Sequence, residues 1–250
     1  MTEKKMPRVL IACPTLDRNL GVEFVTSLSE TIALCQYYGI MLDFAFLGGD
    51  QFIAKARNHL ATGFLNSEFK QDILFFIDAD QGWEANAFVR AVLDDHDVIA
   101  GVVPKKTDDL VFNNVELVTN ENGDCVIENG MMEVKRIGTG FFRITRSALE
   151  RFVAAYPRKY APGDGSPVPY HYDIFQAGVI YKEGEELGQF FGEDLEWCDR
   201  WKAIGGRLFI DPNINFTHSG RKTWSANFLY YLQANHDVQV IEVKDRKSVV

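Results

Sequence analysis

Residues 73–77 read Ile-Leu-Phe-Phe-Ile, an unbroken apolar run, and the acids Asp78 and Asp80 follow directly. A strand with one wet face alternates apolar and polar residues, so a continuous run predicts a strand covered on both faces. The acids then sit at its exit. Upstream, an apolar run over 8–13 is stopped by Pro14, whose ring offers no N–H to a ladder. Val22, Val25, Leu28, Ile32 and Cys35 recur at helical spacing, and Gly39 stands where a helix would end. A strand over 40–47, a helix over 51–66 with Ile53, Ala56, Leu60 and Phe64 inward, a helix over 85–93 and a strand over 98–103 complete the pattern. This β-α-β-α-β-α-β order predicts an α/β, Rossmann-like fold: a mostly parallel central sheet with helices on both faces. Such sheets gather ligands at the carboxyl ends of their strands, where Pro14, Thr15, Asp78, Ala79 and Asp80 fall.

Beyond Pro104 the rhythm changes. Apolar stretches over 115–118 and 125–127 flank Asn122-Gly123, a tight-turn signal, and predict an inserted antiparallel hairpin. Gly138-Thr139-Gly140 precedes a strand over 141–144, and Ser147 with Glu150 has the spacing of a capping box that starts a helix. Residues 157–188 hold many of the prolines and glycines, lack a regular period, and read as a long mobile loop or lid. A helix over 195–204 ends at Gly205-Gly206, before a short strand over 207–210.

A chain of 250 residues, 46% hydrophobic, can bury a substantial core as one domain with appendages. Its net charge of −9 excludes a broad basic surface for nucleic acid, though not a local basic groove. Cys13, Cys35, Cys125 and Cys198 are scattered without a CxxC pair, which points to neither a disulfide scaffold nor a zinc knuckle and fits a reducing cytoplasm. The opening apolar run is too short to span a membrane. A cytoplasmic protein without a membrane span is expected.

An Asp-x-Asp at a buried strand's end offers hard oxygens to Mg²⁺ or Mn²⁺, and such an ion bridges to a diphosphate; the same acids also serve as turn and helix caps. Glu193 and Asp194 open a helix after the irregular segment, as a general base would or as first-turn acids favoured by the helix dipole. His218, in a loop with Ser219 and Gly220, is a candidate nitrogen ligand for the same ion, although a lone histidine is more often structural. Lys105-Lys106 and Arg221-Lys222 are candidate phosphate contacts, with solvated surface as the ordinary reading. Trp83 and Trp224 can stack on a sugar or base, whereas packing is the commoner use of tryptophan. His59, His96, His171 and His236 read as structural.

In order along the chain, Pro14-Thr15, Ala56-Arg57-Asn58, Phe76-Ile77-Asp78-Ala79-Asp80, Gly138 to Phe142, Glu193-Asp194 and His218 resemble the nucleotide-sugar glycosyltransferases of the GT-A fold, over roughly residues 8–222. The resemblance implies that Asp78, Asp80 and His218 hold a divalent metal, Mn²⁺ or Mg²⁺, and that Asp194 is the base. It places Pro14, Thr15, Arg57, Ala79 and Lys222 at the nucleotide-sugar donor, a UDP-sugar being favoured, and Trp83, Gly140, Phe141 and Glu193 on the acceptor side. It divides the single domain into a nucleotide-binding half near 8–104, an acceptor-side half near 105–222, and a C-terminal helix and strand over 223–250. The compact chain is also similar to small phage-encoded members, which implies DNA carrying hydroxymethylated bases as acceptor in a host cytoplasm, a saccharide or lipid-linked sugar being the rival. A base opposite the leaving group implies inversion. A sugar nucleotidyltransferase and a non-catalytic binding module are the other readings; the first lacks the glycine-rich basic loop that cradles a triphosphate.

Overall fold

A computed structural model describes residues 6–112, 115–163, 168–181, 183–184, 186–220, 222–234 and 239–243. In chain order the elements are β1 (Arg8–Thr15), α1 (Val22–Tyr38), β2 (Met41–Gly48), α2 (Ile53–Asn66), β3 (Ile73–Ile77), β4 (Gln81–Gly82), α3 (Ala85–Leu93) and β5 (Val98–Ala100). They continue with β6 (Glu116–Leu117), β7 (Cys125–Glu128), β8 (Met131–Arg136), β9 (Phe141–Thr145), α4 (Arg146–Ala155), β10 (Lys159–Tyr160) and β11 (His171–Tyr172). The last are β12 (Gly178–Ile180), β13 (Gln189–Phe191), α5 (Glu193–Ala203), β14 (Leu208–Ile210), β15 (Asn215–Ser219), β16 (Thr223–Asn227), α6 (Phe228–Ala234) and β17 (Val240–Val243).

The central sheet runs β17-β7-β8-β14-β5-β9-β3-β1-β2, with β6 also paired to β8. β8 and β9 run against the other strands, so the sheet is largely parallel, with β9 wedged between β3 and β5. Both faces are covered, which is why β3 tolerates no polar residue. Ile73, Phe75 and Ile77 join Phe24 of α1 and Phe88 of α3 in one apolar cluster. Leu74 and Phe76 join Leu60 and Phe64 of α2 and Trp197 and Trp201 of α5 in the other. Each fully buried phenylalanine contributes about 1.5–3 kcal/mol by removal from water. Gly39 closes α1 in the left-handed conformation at φ 72°, its N–H reaching the carbonyls of Cys35 and Gln36.

Several sequence expectations are corrected. β1 does not stop at Pro14 but runs on to Thr15. Its pairing with β3 ends at Ala12, so from Cys13 onward β1 is hydrogen-bonded only to β2, and a residue without an N–H is tolerated there. The antiparallel hairpin is β7–β8, turning through Asn129-Gly130 at φ 51° and 84°. The Asn122-Gly123 turn is present, but β6 and β7 on either side of it pair with β8 rather than with each other. Thr145 caps α4, its hydroxyl accepting from the Ala148 N–H, and Ser147 lies inside the helix. Residues 157–188 include the ribbon β10–β11 and the strand β12, which pairs with β13 just beyond, so the segment is not wholly irregular; 164–167, 182 and 185 lie outside the described residues, as do Arg221 and His236.

Candidate active site

Asp78, Ala79 and Asp80 follow β3 at the carboxyl rim of the sheet. The next residues form β4, and β4 pairs with β15 so that His218 stands opposite Gln81 and Thr217 opposite Gly82. That two-residue ladder delivers the late histidine to the acids. The Ser219 N–H donates to the Asp80 carbonyl at 2.7 Å, fixing the register. Glycine is required at 82, because a Cβ there would run into Thr217 Oγ1 and come within 2.9 Å of Glu23 Cβ. Gly140 has a similar role: its carbonyl accepts from the Asp78 N–H at 2.9 Å, and a Cβ would collide with the Gln81 amide and sit 3.1 Å from Asp78 Oδ2.

Asp80 Oδ1 lies 3.5 Å from His218 Nε2, and Lys106 Nζ bonds Asp80 Oδ2. His218 Nδ1 is 2.7 Å from the Pro104 carbonyl. A carbonyl only accepts, so Nδ1 carries the proton and Nε2 is left facing Asp80. Burial pushes the Asp80 carboxyl up, but the nearby His218 and the Lys106 ammonium outweigh this and bring it down to about 2. Asp78 accepts from Arg57 Nη2 at 2.9 Å, and Arg57 Nη1 bonds Glu193 on the far side. Burial raises the Asp78 and Glu193 carboxyls above their ordinary values, against the pull of Arg57 on each. Behind the acids, burial and then the charges of Asp78 and Asp80 push the Cys13 thiol to about 12, which rules it out as a nucleophile.

A cleft of about 500 Å³ has Arg57, Asp78, Gln81, Lys106, Asp194 and His218 in its wall, and Asp80 stands behind that wall in contact with His218 and Lys106. The Gly138-Thr139-Gly140 segment lines it as well. Three buried polar atoms in its wall have no protein partner: Arg57 Nε, Gln81 Oε1 and Thr139 Oγ1. A wall left with unpaired donors and acceptors suits a hydroxyl-rich, phosphate-bearing ligand better than an apolar one.

Of the residues singled out in the sequence, the structure gathers Arg57, Asp78, Gly140, Glu193, Asp194 and His218 in the wall of this cleft, with Asp80 set against His218 and Lys106. Ala79 accepts the Gly21 N–H at 2.8 Å, tying the loop after β1 to the acids. Pro14 and Thr15 end β1 on the same rim; Thr15 lines a separate hollow with Arg18, Leu20, Phe46 and Gly48, and its hydroxyl donates to the Asn19 carbonyl. Trp83 and Phe141 do not reach the cleft. Trp83 is buried, its indole N–H donating to Thr31 Oγ1 at 2.9 Å, and Phe141 packs among Phe75, Phe216 and Trp83. Lys222 is drawn away by Asp108 and lies over the Trp224 ring. Sequence reasoning held Lys106 as a candidate phosphate contact beside the surface reading, carried Thr139 within the Gly138 to Phe142 segment, and passed over Gln81 and Pro104; adjacency to Asp80, for Gln81, was the available signal.

Among the described residues, no group of three or more His, Cys, Asp or Glu side chains stands ready to hold a metal ion unaided. The residues nevertheless fit a metal shared with a substrate. Adjacent ligands of an octahedral ion at 2.1 Å are about 3 Å apart, close to the Asp80–His218 separation, and Mg²⁺-type sites commonly use one or two protein groups plus phosphate oxygens. A carboxylate oxygen and an imidazole nitrogen also suit Mn²⁺. Asp78 Oδ1 accepts from Arg57, so this acid enters the site already paired with a cation.

No family model and no curated protein matches the sequence. Among solved structures the chain is similar to A197 from STIV, at 18% identity and a TM-score of 0.50, over 85% of this chain and 86% of that one. The catalytic domain of Drosophila beta1,4galactosyltransferase 7 complexed with xylobiose aligns at 13% identity and a TM-score of 0.47, over 83% and 66% of the two chains. The inositol-1-phosphate CTP transferase from T. maritima aligns at 12% and 0.41, over 86% and 89%. At such identities the likeness to A197 is one of fold, an α/β domain of matching extent. No helix among the described residues is long and apolar enough to cross a membrane.

Proposed function

We propose that the protein is a metal-dependent glycosyltransferase that moves a sugar from a nucleoside-diphosphate sugar, a UDP-sugar being favoured, to an acceptor hydroxyl with inversion. The observation that supports this best is the approach of Asp80 and His218 to 3.5 Å beside a cleft whose wall also holds Asp194. Asp80 and His218 would hold Mn²⁺ or Mg²⁺, which would supply neutralisation of the charge that builds on the diphosphate. Lys105 and Lys106 line the same wall and bring ammonium groups to the phosphates. Arg57 ties Asp78 to Glu193 and so fixes the start of α5, from which Asp194 enters the cleft. Asp194 removes the acceptor hydroxyl proton as the new carbon–oxygen bond forms and the bond from the anomeric carbon to the phosphate oxygen breaks. The proton ends on Asp194 and the nucleoside diphosphate leaves.

The cations around the cleft bear on the acceptor. Of the cations in its wall, Arg57 is matched by Asp78 and Glu193 and Lys106 by Asp80, which leaves Lys105, while Lys222 stands outside the wall on Asp108. A polyanion such as DNA gains little from cations already paired, so a saccharide hydroxyl is favoured over hydroxymethylated bases. Incubation with UDP-sugars and Mn²⁺ tests the reading: UDP release stimulated by free saccharides supports it, transfer to hydroxymethylated duplex DNA alone restores the DNA acceptor, and pyrophosphate release from a nucleoside triphosphate plus sugar phosphate replaces it with a nucleotidyltransferase.

A further inference from the structure

Lys106 is the one lysine whose ammonium bonds an acid of the Asp78-Ala79-Asp80 segment among the described ion pairs. It takes Oδ2 of the carboxylate whose Oδ1 faces His218 Nε2, so ammonium and imidazole hold the two oxygens of one carboxylate, and a divalent ion drawing on Asp80 would lie beside that ammonium. The lysine stands on a short excursion pinned at its base: Pro104 bridges to Phe112, and the Lys105 N–H donates to the Val111 carbonyl at 2.7 Å. Its stem runs past Gly220, where a Cβ would sit 3.2 Å from Lys106 Cδ and 3.3 Å from the Trp224 ring. Gly220 does not have a positive φ, so space for the Lys106 stem, rather than backbone strain, is what glycine provides there.

We propose that Lys106 is a stand-in cation for the metal: without donor its ammonium holds Asp80 against His218, and it passes to the diphosphate when donor and metal enter together. The inference rests on the glycosyltransferase reading and adds an order of binding to it. A half-buried carboxylate is costly without a partner, and a lysine on a flexible stem supplies one while remaining able to move several ångströms. Lys106 and Asp80 are 34% and 43% exposed, so the pair is exchangeable rather than locked. A divalent ion arriving alone would meet an ammonium beside its carboxylate ligand and be repelled. A diphosphate offers the ammonium oxygens of higher charge, and that releases Asp80 for the ion.

Electron paramagnetic resonance of free Mn²⁺ reads this directly, on the wild type, Lys106→Met, Lys106→Arg and Lys105→Met, each with and without UDP. Without UDP, Lys106→Met is expected to bind Mn²⁺ about fivefold to tenfold more tightly than the wild type, whereas Lys106→Arg and Lys105→Met stay within about twofold. With Mn²⁺ saturating, the same Lys106→Met variant is expected to bind UDP about tenfold more weakly. A lysine that only supports the fold would not move the two affinities in opposite directions. Unchanged Mn²⁺ binding by Lys106→Met, in a protein whose wild type still couples UDP to Mn²⁺, overturns the role of Lys106 alone. A wild type that binds no UDP with Mn²⁺ present overturns the glycosyltransferase reading with it.

Discussion

His218 and Asp80 are remote in sequence and face each other at 3.5 Å because β15 pairs with β4 in the residues that follow the acids. The proposed metal locus is thus a consequence of strand pairing. A change that disturbs the ladder should act on metal binding before it acts on the core.

Gly82→Ala tests that dependence. The added methyl meets Thr217 Oγ1 and the Glu23 side chain, so β15 must shift. Overpacking of this kind costs about 1–3 kcal/mol. The expected result is a cooperative thermal transition lowered by several degrees, with Mn²⁺-dependent UDP affinity reduced about tenfold or more. Calorimetry and a UDP titration with Mn²⁺ check both parts.

Asp80→Asn keeps the size of the side chain but weakens it as a ligand. Metal-coupled UDP binding should fall by about a hundredfold or more, with little change in the unfolding transition, since Asp80 is partly exposed. Circular dichroism alongside the titration separates loss of the site from loss of the fold.

Asp194→Asn should divide binding from turnover. UDP affinity with Mn²⁺ is expected to match the wild type, and the rate of sugar transfer to fall by about 10²–10⁴-fold, the usual contribution of a positioned general base. Single-turnover kinetics measure this; equal losses in UDP binding and rate would make Asp194 structural.

Far from the cleft, Asp43 accepts from Arg8 Nε at 2.6 Å and from Gln71, and the bond to Arg8 holds its carboxyl below the ordinary range. A group whose pKa is depressed on folding stabilises fully above its unfolded value, about 3.9, and that contribution is lost as pH falls through the folded value. The stability difference between wild type and Asp43→Asn should therefore be constant from neutral pH down to about pH 5 and shrink below about pH 4. Urea titrations across that range read it.

Much of the nucleotide-side sheet was legible because periodicity is local. The unbroken run at Ile73 to Ile77 announced a strand covered twice, and Gly39 marked the end of α1. What failed depended on partners remote in sequence. Asn122-Gly123 and Asn129-Gly130 carry the same turn signal, and only the pairing of β7 with β8 decides which closes the hairpin. Pro14 looked like a terminator because nothing local reveals that β1 outruns β3. Within the site, Asp78, Asp80, Arg57, Asp194 and His218 were readable as an ordered set. Trp83 and Phe141 were misplaced because an aromatic ring beside a motif packs as readily inward, and Lys222 because Asp108 claims it. Lys106 was read as a candidate phosphate contact, and its pairing with Asp80 was not foreseen because a lysine pair after a strand carries no sign of which carboxylate its ammonium will meet.

The most direct test of the central claim is the binding of UDP to the wild-type protein by isothermal titration calorimetry, once with Mn²⁺ and once with a chelator. Asp80 and His218 sharing an ion with the diphosphate predicts saturable binding with Mn²⁺ and a loss of affinity of at least about tenfold in its absence. Equal affinity in the two conditions would contradict it.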